Sequence, residues 1–472
     1  MAGISLGRVT TLLVAARAAG YTLALGNSII LARVLGVDRL GAYAYAMGLA
    51  ALFGLLPNMG LATVLTRSVA RDGQASGGTL RAAVRAQLLL AAGVAVLIPA
   101  VAAILPGQPA PVGYVALAGA QLAVGTLSWP YLAVLGGRAR YDRLAAAELV
   151  AAVAGTASLV IAALTGGSVA AFLWAHVVAS GVAVAGARWV AGPLLPRGGG
   201  TIGLGALFRQ ATPFGATAAA QSLYTRLDVL LLGQLASTAA LGLYNVAYKP
   251  ANLAVFFGGT VAGTLFPLMA QPRAEIPPAF RRAVRGLAAT GPGMALALTG
   301  LAGPLLYALY GAEFTAAAPI LAVLAWSAAA NWLYAPLSVA LQARGHEGAW
   351  LGCLTAGLAA NALGNLWAIP RWEALGAAGA TLLSEVVLVG LGALLVWRRL
   401  GTAAPLRPVA TSLGGGAVGL GVWWALATAG PVTATLAALA VQAALLGLAR
   451  IVTAEDVASV IGWVRQAAGR PV

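Results

Sequence analysis

The chain has 472 residues, of which 61% are hydrophobic and only 8% are charged, whereas soluble domains carry roughly a quarter charged residues. This composition excludes a water-soluble fold, because no soluble core could cover so much apolar surface. The formal charge of +16 would suggest nucleic acid in a soluble protein, but the arginines stand in short clusters between apolar segments, so we expect no nucleic acid partner. Cys353 is the single cysteine, which excludes internal disulfides and thiolate metal sites.

Long apolar segments dominate the chain and predict membrane-spanning helices. Only helices and closed barrels cross lipid, because hydrocarbon offers no hydrogen-bond partners. A helix needs about 20 apolar residues to cross a core about 30 Å thick, and continuous Leu, Ala, Val and Gly runs of this length recur here without strand-like alternation. We predict an all-α polytopic membrane protein with about fourteen transmembrane helices. The predicted spans are 10–32, 42–65, 84–105, 113–135, 145–164, 169–190, 211–233, 242–269, 287–310, 319–342, 349–369, 378–397, 409–429 and 433–451.

Basic residues are distributed unevenly between the loops, and this predicts the orientation. If the N-terminus is cytoplasmic, 22 of the 28 basic residues fall on the cytoplasmic side, and the opposite side receives only Arg33, Arg39 and Arg371. Short cytoplasmic loops carry an excess of Lys and Arg in membrane proteins. We therefore expect a multi-pass protein of the bacterial inner (cell) membrane with both termini in the cytoplasm and an even number of spans.

One short motif occurs twice. Leu40-Gly41-Ala42-Tyr43 at the start of the second predicted span returns as Leu241-Gly242-Leu243-Tyr244 at the start of the eighth, and at the same offset of 201 residues Asn27 aligns with Asp228. A separation of six spans keeps both copies in one orientation, as in parallel repeats with a cleft between two similar lobes. We predict an N-lobe over residues 1–200 (helices 1–6), a C-lobe over 201–400 (helices 7–12), and two additional helices with a cytoplasmic tail over 401–472.

Further residues around both copies of the motif point to a known family. They are Leu31-Ala32-Arg33-Val34-Leu35-Gly36, Asn58-Met59-Gly60-Leu61 and Arg226-Leu227-Asp228-Val229-Leu230. Over roughly residues 5–400 the chain resembles the polysaccharide flippases, which export O-antigen and exopolysaccharide repeat units and belong to the multidrug/oligosaccharidyl-lipid/polysaccharide exporter superfamily. The resemblance implies two six-helix lobes around a central cleft, two C-terminal helices, and alternating access that carries a lipid-linked oligosaccharide from the cytoplasmic to the outer leaflet.

Three basic residues, Arg17, Arg226 and Lys249, lie inside predicted spans. A charge in such a place usually faces the bundle interior or a water-filled path. Arg17, midway along the first span, is a candidate for binding the substrate pyrophosphate, because guanidinium groups match phosphate oxygens bidentately. The alternative is an arginine nearer the interface that snorkels to lipid headgroups. Arg226 is a candidate for a second phosphate or sugar contact.

The seventh predicted span carries a polar face formed by Gln221, Tyr224 and Asp228, while Arg226 projects nearly opposite Asp228. Lys249 in the eighth span is a natural partner for Asp228 if the two helices pack antiparallel. One interpretation is a structural ion pair that fixes helix packing. The other is a substrate-binding set in which Asp228 or Lys249 binds substrate phosphate or a coupling cation in alternate states.

His176 and Glu385, in the sixth and twelfth spans, are further candidates for ion coupling, since both side chains can exchange protons. The alternative for each is a packing contact. Asn331, Asn361 and Asn365 are candidates for polar cleft lining. A last group of aromatic residues could stack on sugars, although an interfacial belt is the default interpretation; it comprises Trp129, Tyr131, Trp326, Trp332, Tyr334 and Trp367.

No motif in the sequence indicates an enzyme. It has no phosphate-binding loop for ATP and no spacing of histidines and carboxylates typical of metal sites, so we expect neither catalysis nor a cofactor nor a bound metal. We predict a flippase for polyprenyl-pyrophosphate-linked oligosaccharide repeat units, in contact with membrane lipids and driven by an H⁺ or Na⁺ gradient or by the substrate gradient. The alternatives are a multidrug/toxin cation antiporter, a lipid II flippase and, as a third class, a non-transporting scaffold or polymerase.

Overall fold

The computed structural model describes residues 6–449, apart from 58, 106, 201, 264, 266–268, 270–277 and 402–405. Within these residues the chain is helical and contains no strand. The helices are α1 (Leu6–Leu52), α2 (Leu61–Asp72), α3 (Gly77–Ile104), α4 (Val112–Thr126), α5 (Trp129–Gly137), α6 (Tyr141–Leu164), α7 (Val169–Ala191), α8 (Leu204–Leu235), α9 (Thr238–Gly263), α10 (Pro278–Gly300), α11 (Ala302–Tyr310), α12 (Ala318–Ala343), α13 (Glu347–Leu400), α14 (Leu406–Ala425) and α15 (Pro431–Leu448).

The all-α membrane fold is confirmed. Seven helical segments among the described residues are long and apolar enough to cross a membrane, or eight if one bent pair forms a single span. That pair, Val284–Gly300 and Ala302–Tyr310, bends by 62°. The total of about fourteen spans stays a prediction.

Two helices are too long for a single crossing and contain a break. Helix α13 has 54 residues and would be about 80 Å long if straight, against a hydrocarbon core of about 30 Å. It is interrupted at Glu373, where φ is 45°, and each half keeps enough residues for one crossing. Helix α1 is interrupted at Gly36 (φ 69°), a conformation that glycine adopts without steric cost.

Besides the span 287–310, which is divided by the bend between α10 and α11, two predicted spans differ from the structure. The span 42–65 is not one helix: α1 ends at Leu52, and α2 begins at Leu61. Met59 and Gly60 between them have positive φ angles of 36° and 80°, which a helix cannot accommodate. The span 113–135 is likewise divided between α4 and α5. Both segments are predominantly apolar and carry no charged residue, so hydropathy alone did not reveal these turns.

The chain divides into two compact units. The first contains Met1–Val246 and Ile369–Ala374, and the second contains Ala247–Ala368 and Leu375–Val472. In the first unit α6 packs against α1 and α7, α4 against α3 and α7, and α2 against α5; in the second, α10 packs against α12 and α14, and α14 against α15. The division into lobes at residues 200 and 400 stays a prediction.

The two copies of the Leu-Gly-x-Tyr motif touch each other through their glycines, inside the first unit. A Cβ atom on Gly41 would lie 1.9 Å from the carbonyl oxygen of Thr238, and one on Gly242 would lie 2.2 Å from that of Val37. Val37 and Thr238 are separated by the same 201 residues as the glycines, so the contact is reciprocal, as a local two-fold axis requires. Glycine is needed here because only small residues allow helix backbones to approach so closely.

The connection that leads into α8 is fixed to the turn between α2 and α3. The amide of Gly198 donates to the carbonyl oxygen of Gln74 at 3.0 Å, and Arg81 Nη2 donates to the carbonyl oxygen of Gly199 at 3.2 Å. A Cβ atom on Gly78 would lie 1.6 Å from the carbonyl oxygen of Gly200. Glycines on both sides therefore bring the two backbones into contact.

We expect Gly41→Ala and Gly242→Ala each to lower the melting temperature of the purified protein. The added methyl group meets a backbone carbonyl that cannot move aside, and overpacking costs about 1–3 kcal/mol or more. Gly26→Ala in the same helix α1 is the matched control, since a Cβ there would have no neighbour within 4 Å. Thermal unfolding in detergent provides the measurement, and equal melting temperatures for Gly41→Ala and Gly26→Ala would contradict the close contact.

Candidate functional site

Asp228 on α8 is a buried carboxylate with 5% of its surface exposed. The hydroxyl of Tyr244, on α9, donates a hydrogen bond to its Oδ2 atom, and the backbone amide of Val229 donates to Oδ1 at 2.8 Å. A buried charge is costly unless it is hydrogen-bonded or paired, and these two donors provide part of that compensation. Asp228 is therefore held in place by the tyrosine of the second motif copy.

Of the other residues that were predicted to bind substrate together with Asp228, those whose side chains the structure describes do not share its buried position. Arg226 is exposed and lies about 200° around α8 from Asp228, so the two side chains occupy opposite faces. Lys249 on α9 is exposed and belongs to the second unit, and its pairing with Asp228 stays a prediction. The side chains of Gln221 and Tyr224 on α8, and of Arg17 on α1, lie outside the described residues.

His176 on α7 has the corresponding arrangement in the first motif copy. The Tyr43 hydroxyl and His176 Nε2 are 2.6 Å apart, close enough for a hydrogen bond. One helical turn further along α7, Ser180 Oγ accepts a hydrogen bond from Gln121 Nε2 at 3.3 Å. Polar side chains from α1, α4 and α7 thus meet along one face of α7.

The two motif tyrosines therefore each bind a titratable side chain, Tyr43 to His176 and Tyr244 to Asp228. The sequence indicated the histidine and the aspartate as candidates but did not indicate their tyrosine partners. The signal was present, because both tyrosines stand at the repeat offset of 201 residues. The residue that aligns with Asp228 is Asn27, and its buried Oδ1 atom has no hydrogen-bond partner among the described residues.

A second group of polar residues is buried in the second unit. Glu385 on α13 is 6% exposed, and Asn361 and Asn365 on the same helix are 3% and 0% exposed. The Nδ2 atom of Asn365 donates to Oδ1 of Asn361 at 2.9 Å. Asn331 on α12 is also buried. All four residues lie within predicted spans, so they are buried polar side chains among apolar helices.

The aromatic candidates serve mainly as packing groups in the described contacts. The indole Nε1 of Trp332 donates to the carbonyl oxygen of Ala254 at 2.7 Å. Tyr334 stacks on Trp350, with ring centroids 5.7 Å apart. Arg188 lies over the ring of Tyr131 at 5.7 Å. Within the described part of the chain, no group of three or more His, Cys, Asp or Glu side chains is arranged to hold a metal ion.

We expect Tyr244→Phe to lower the melting temperature more than Tyr45→Phe does. The first substitution removes a donor from a buried carboxylate, which costs about 1–3 kcal/mol. The second breaks only the neutral hydrogen bond that Gln234 Nε2 donates to the Tyr45 hydroxyl. In an Asp228→Asn background the effect of Tyr244→Phe should shrink, which a double-mutant cycle of thermal unfolding measures. Equal decreases in melting temperature for Tyr244→Phe and Tyr45→Phe would contradict a charged partner for Tyr244.

The sequence matches the family described as "Polysaccharide biosynthesis protein" over residues 30–319, more than half of the chain. No curated protein matches the chain in sequence.

Several solved structures share the fold at low sequence identity. A structure described as "Lipid II flippase MurJ, inward closed conformation" has a TM-score of 0.74 at 13% identity, and the match covers 93% of this chain and 98% of that one. The bent form of the Vibrio cholerae MATE transporter VcmN has a TM-score of 0.56 at 16% identity, over 83% and 97% of the two chains. The eukaryotic MATE transporter AtDTX14 has a TM-score of 0.53 at 14% identity, over 85% and 98%. The chain has the fold of these flippase and MATE transporter structures, and it belongs to the polysaccharide biosynthesis protein family.

Proposed function

We propose that the protein is a flippase that moves polyprenyl-pyrophosphate-linked oligosaccharide repeat units from the cytoplasmic to the outer leaflet by alternating access. The observation that carries this proposal is the family match over residues 30–319 on a chain whose fold resembles that of a lipid II flippase. A polysaccharide biosynthesis family with a flippase fold fits the one step of that synthesis in which a membrane barrier, and not a chemical bond, must be overcome. We place it in the bacterial inner membrane with both termini in the cytoplasm.

The sign of the charges supports an anionic substrate. Arg17, Arg226 and Lys249 lie in the predicted spans, and Arg226 and Lys249 are exposed. Cationic side chains attract phosphate and repel organic cations. This argues against a multidrug/toxin cation antiporter, although the MATE transporters share the fold.

Lipid II transport is the second candidate, favoured by the similarity to MurJ along 93% of the chain. Lipid II is also a polyprenyl-linked saccharide, so the same charge argument holds for it. We prefer the repeat unit, because the family that matches in sequence is described as a polysaccharide biosynthesis protein, whereas the likeness to the lipid II flippase is a likeness of fold at 13% identity.

For coupling, we propose that the buried Asp228 with its Tyr244 donor exchanges a proton or sodium ion during the cycle. The free-energy cost of burying a carboxylate in an apolar environment falls strongly when the group is protonated or binds a cation. The access of water to it changes when a bundle opens alternately to the two sides. His176 with its Tyr43 partner is a second candidate, and Glu385 a third.

A deletion strain is expected to accumulate polyprenyl-pyrophosphate-linked glycans, and the wild-type gene to relieve this. Arg17→Ala and Arg226→Ala should fail to relieve it, because each removes a cation proposed to bind the pyrophosphate. The measurement is mass spectrometry of extracted lipid-linked glycans from strains with equal protein levels.

Arg71→Ala is the control for this experiment. It removes the same charge from a side chain that is 82% exposed and pairs with Asp72, and it should complement fully. Absence of accumulation, together with altered sensitivity to cationic dyes, would overturn the flippase proposal in favour of the antiporter. Accumulation of lipid II instead of repeat units would favour the second candidate.

We expect Asp228→Asn to abolish the response of transport to an imposed ion gradient. Asparagine still accepts a hydrogen bond from Tyr244 but has no charge to exchange. The measurement is lipid-linked glycan translocation in proteoliposomes with a proton or sodium gradient of either direction. If the variant responds to both gradients as the wild type does, Asp228 is not the coupling group.

A further inference from the structure

Two arginines at one end of the first unit bind carboxylates in the same way. Nε and Nη2 of Arg71 donate to the two carboxylate oxygens of Asp72 at 2.9 and 3.3 Å. Nε and Nη2 of Arg140 donate to the two oxygens of Asp142 at 2.9 and 2.7 Å. Each guanidinium thus uses one edge, formed by Nε and Nη2, for a bidentate contact with an oxyanion.

Three other arginines at this end also have partners. Arg81 donates to the carbonyl oxygens of Arg197 and Gly199. Arg143 Nη1 donates to the carbonyl oxygen of Val190 at 3.1 Å, and Arg188 lies over the Tyr131 ring. These contacts connect the ends of α2, α5 and α7 with the starts of α3 and α6, so the group lies at a single end of the unit.

Arg138, which follows α5, differs from these five arginines. Its Nε and Nη2 atoms are both buried and have no hydrogen-bond partner among the described residues. These are the same two atoms with which Arg71 and Arg140 bind carboxylates. The acids of the two adjacent turns, Asp72 and Asp142, are already paired. The oxyanion-binding edge of Arg138 is therefore left without a carboxylate partner from the two adjacent turns.

The backbone fixes Arg138 at this position. Ala139 has a φ of 53°, an unfavourable conformation for a residue with a side chain, and the Arg140 amide donates to the carbonyl oxygen of Leu135 at 3.0 Å. These are the features of a tight helix end. Next to it, Arg138 Nη1 would lie 3.9 Å from a Cβ on Gly73, the residue that follows α2.

The same helix end occurs in the second unit. Arg344 follows α12, Gly345 has a φ of 77°, and the His346 amide donates to the carbonyl oxygen of Leu341 at 2.8 Å. The spacing from leucine to arginine to the left-handed residue is identical in the two places. An arginine therefore occupies the equivalent position at both helix ends.

We propose that Arg138 binds a phosphate or pyrophosphate group of a membrane lipid at this end of the first unit. Leaving a buried guanidinium edge unpaired is costly, and such a local violation is expected at functional sites. Phosphate oxygens fit the edge bidentately, as a carboxylate does at Arg71 and Arg140. The assignment of this lipid to the transported substrate rests on the proposed function, whereas lipid phosphate binding itself does not.

The test uses the full-length protein in phosphatidylcholine nanodiscs, with undecaprenyl pyrophosphate, phosphatidylglycerol and inorganic pyrophosphate as separate probes. Arg138→Gln should weaken binding of undecaprenyl pyrophosphate about tenfold or more, the effect of losing a charge-assisted contact. Arg138→Lys keeps the charge but loses the bidentate edge, and it should restore only part of the binding. Arg71→Gln is the matched control and should change binding less than about twofold, since its carboxylate partner already occupies the edge.

The outcomes separate this inference from the proposed function. Equal weakening by Arg138→Gln and Arg71→Gln would overturn the Arg138 site while leaving the flippase proposal intact. Arg138-dependent binding of phosphatidylglycerol, with no wild-type binding of undecaprenyl pyrophosphate, would support the site and count against the flippase. Inorganic pyrophosphate binding as tightly as either lipid would overturn the lipid assignment.

Stability without added lipid provides a second readout. Arg138→Gln removes an edge that has no partner, so the variant should melt at the wild-type temperature or above it. A lower melting temperature would show that Arg138 is a structural residue and would overturn the proposal.

Discussion

The reciprocal contact between Gly41 and Gly242 is the constraint on which the rest of the candidate site depends. Each glycine lies against a carbonyl oxygen from the other motif copy, so the backbones of α1 and α9 approach more closely than side chains would permit. Two residues beyond each glycine stands a tyrosine. Tyr43 and Tyr244 therefore start from equivalent backbone positions, and each binds a titratable group with its hydroxyl.

Polar groups have two distinct placements in this protein. In the helical interior, side chains such as Asp228 and His176 are hydrogen-bonded to neutral partners, which keeps the cost of their burial low. At one end of the first unit, arginines are held by carboxylates and backbone carbonyls. In the function proposed here, the first group responds to ions during the cycle, while the second meets the phosphate of the lipid.

The sequence predicted the helical class and the repeat, because lipid thickness fixes the length of an apolar segment and because the Gly-x-Tyr spacing is visible in one chain. It predicted the break at Glu373, which falls between the spans 349–369 and 378–397. It did not predict the turn before Leu61 or the division between α4 and α5, where hydropathy stays high across the turn. It suggested Lys249 as the partner of Asp228 because opposite charges are visible in a sequence. The hydroxyl of Tyr244 leaves no charge pattern, and its contact depends on how α8 and α9 are rotated about their axes.

The unlike partners of the two motif tyrosines have an electrical consequence. Proton uptake at His176 turns a neutral ring into a cation, whereas proton uptake at Asp228 turns an anion into a neutral acid. Since water stabilises charge and hydrocarbon does not, acidification favours hydration around the first copy and dehydration around the second. The two motif copies, whose glycines meet reciprocally, would thus respond to the same proton in opposite senses.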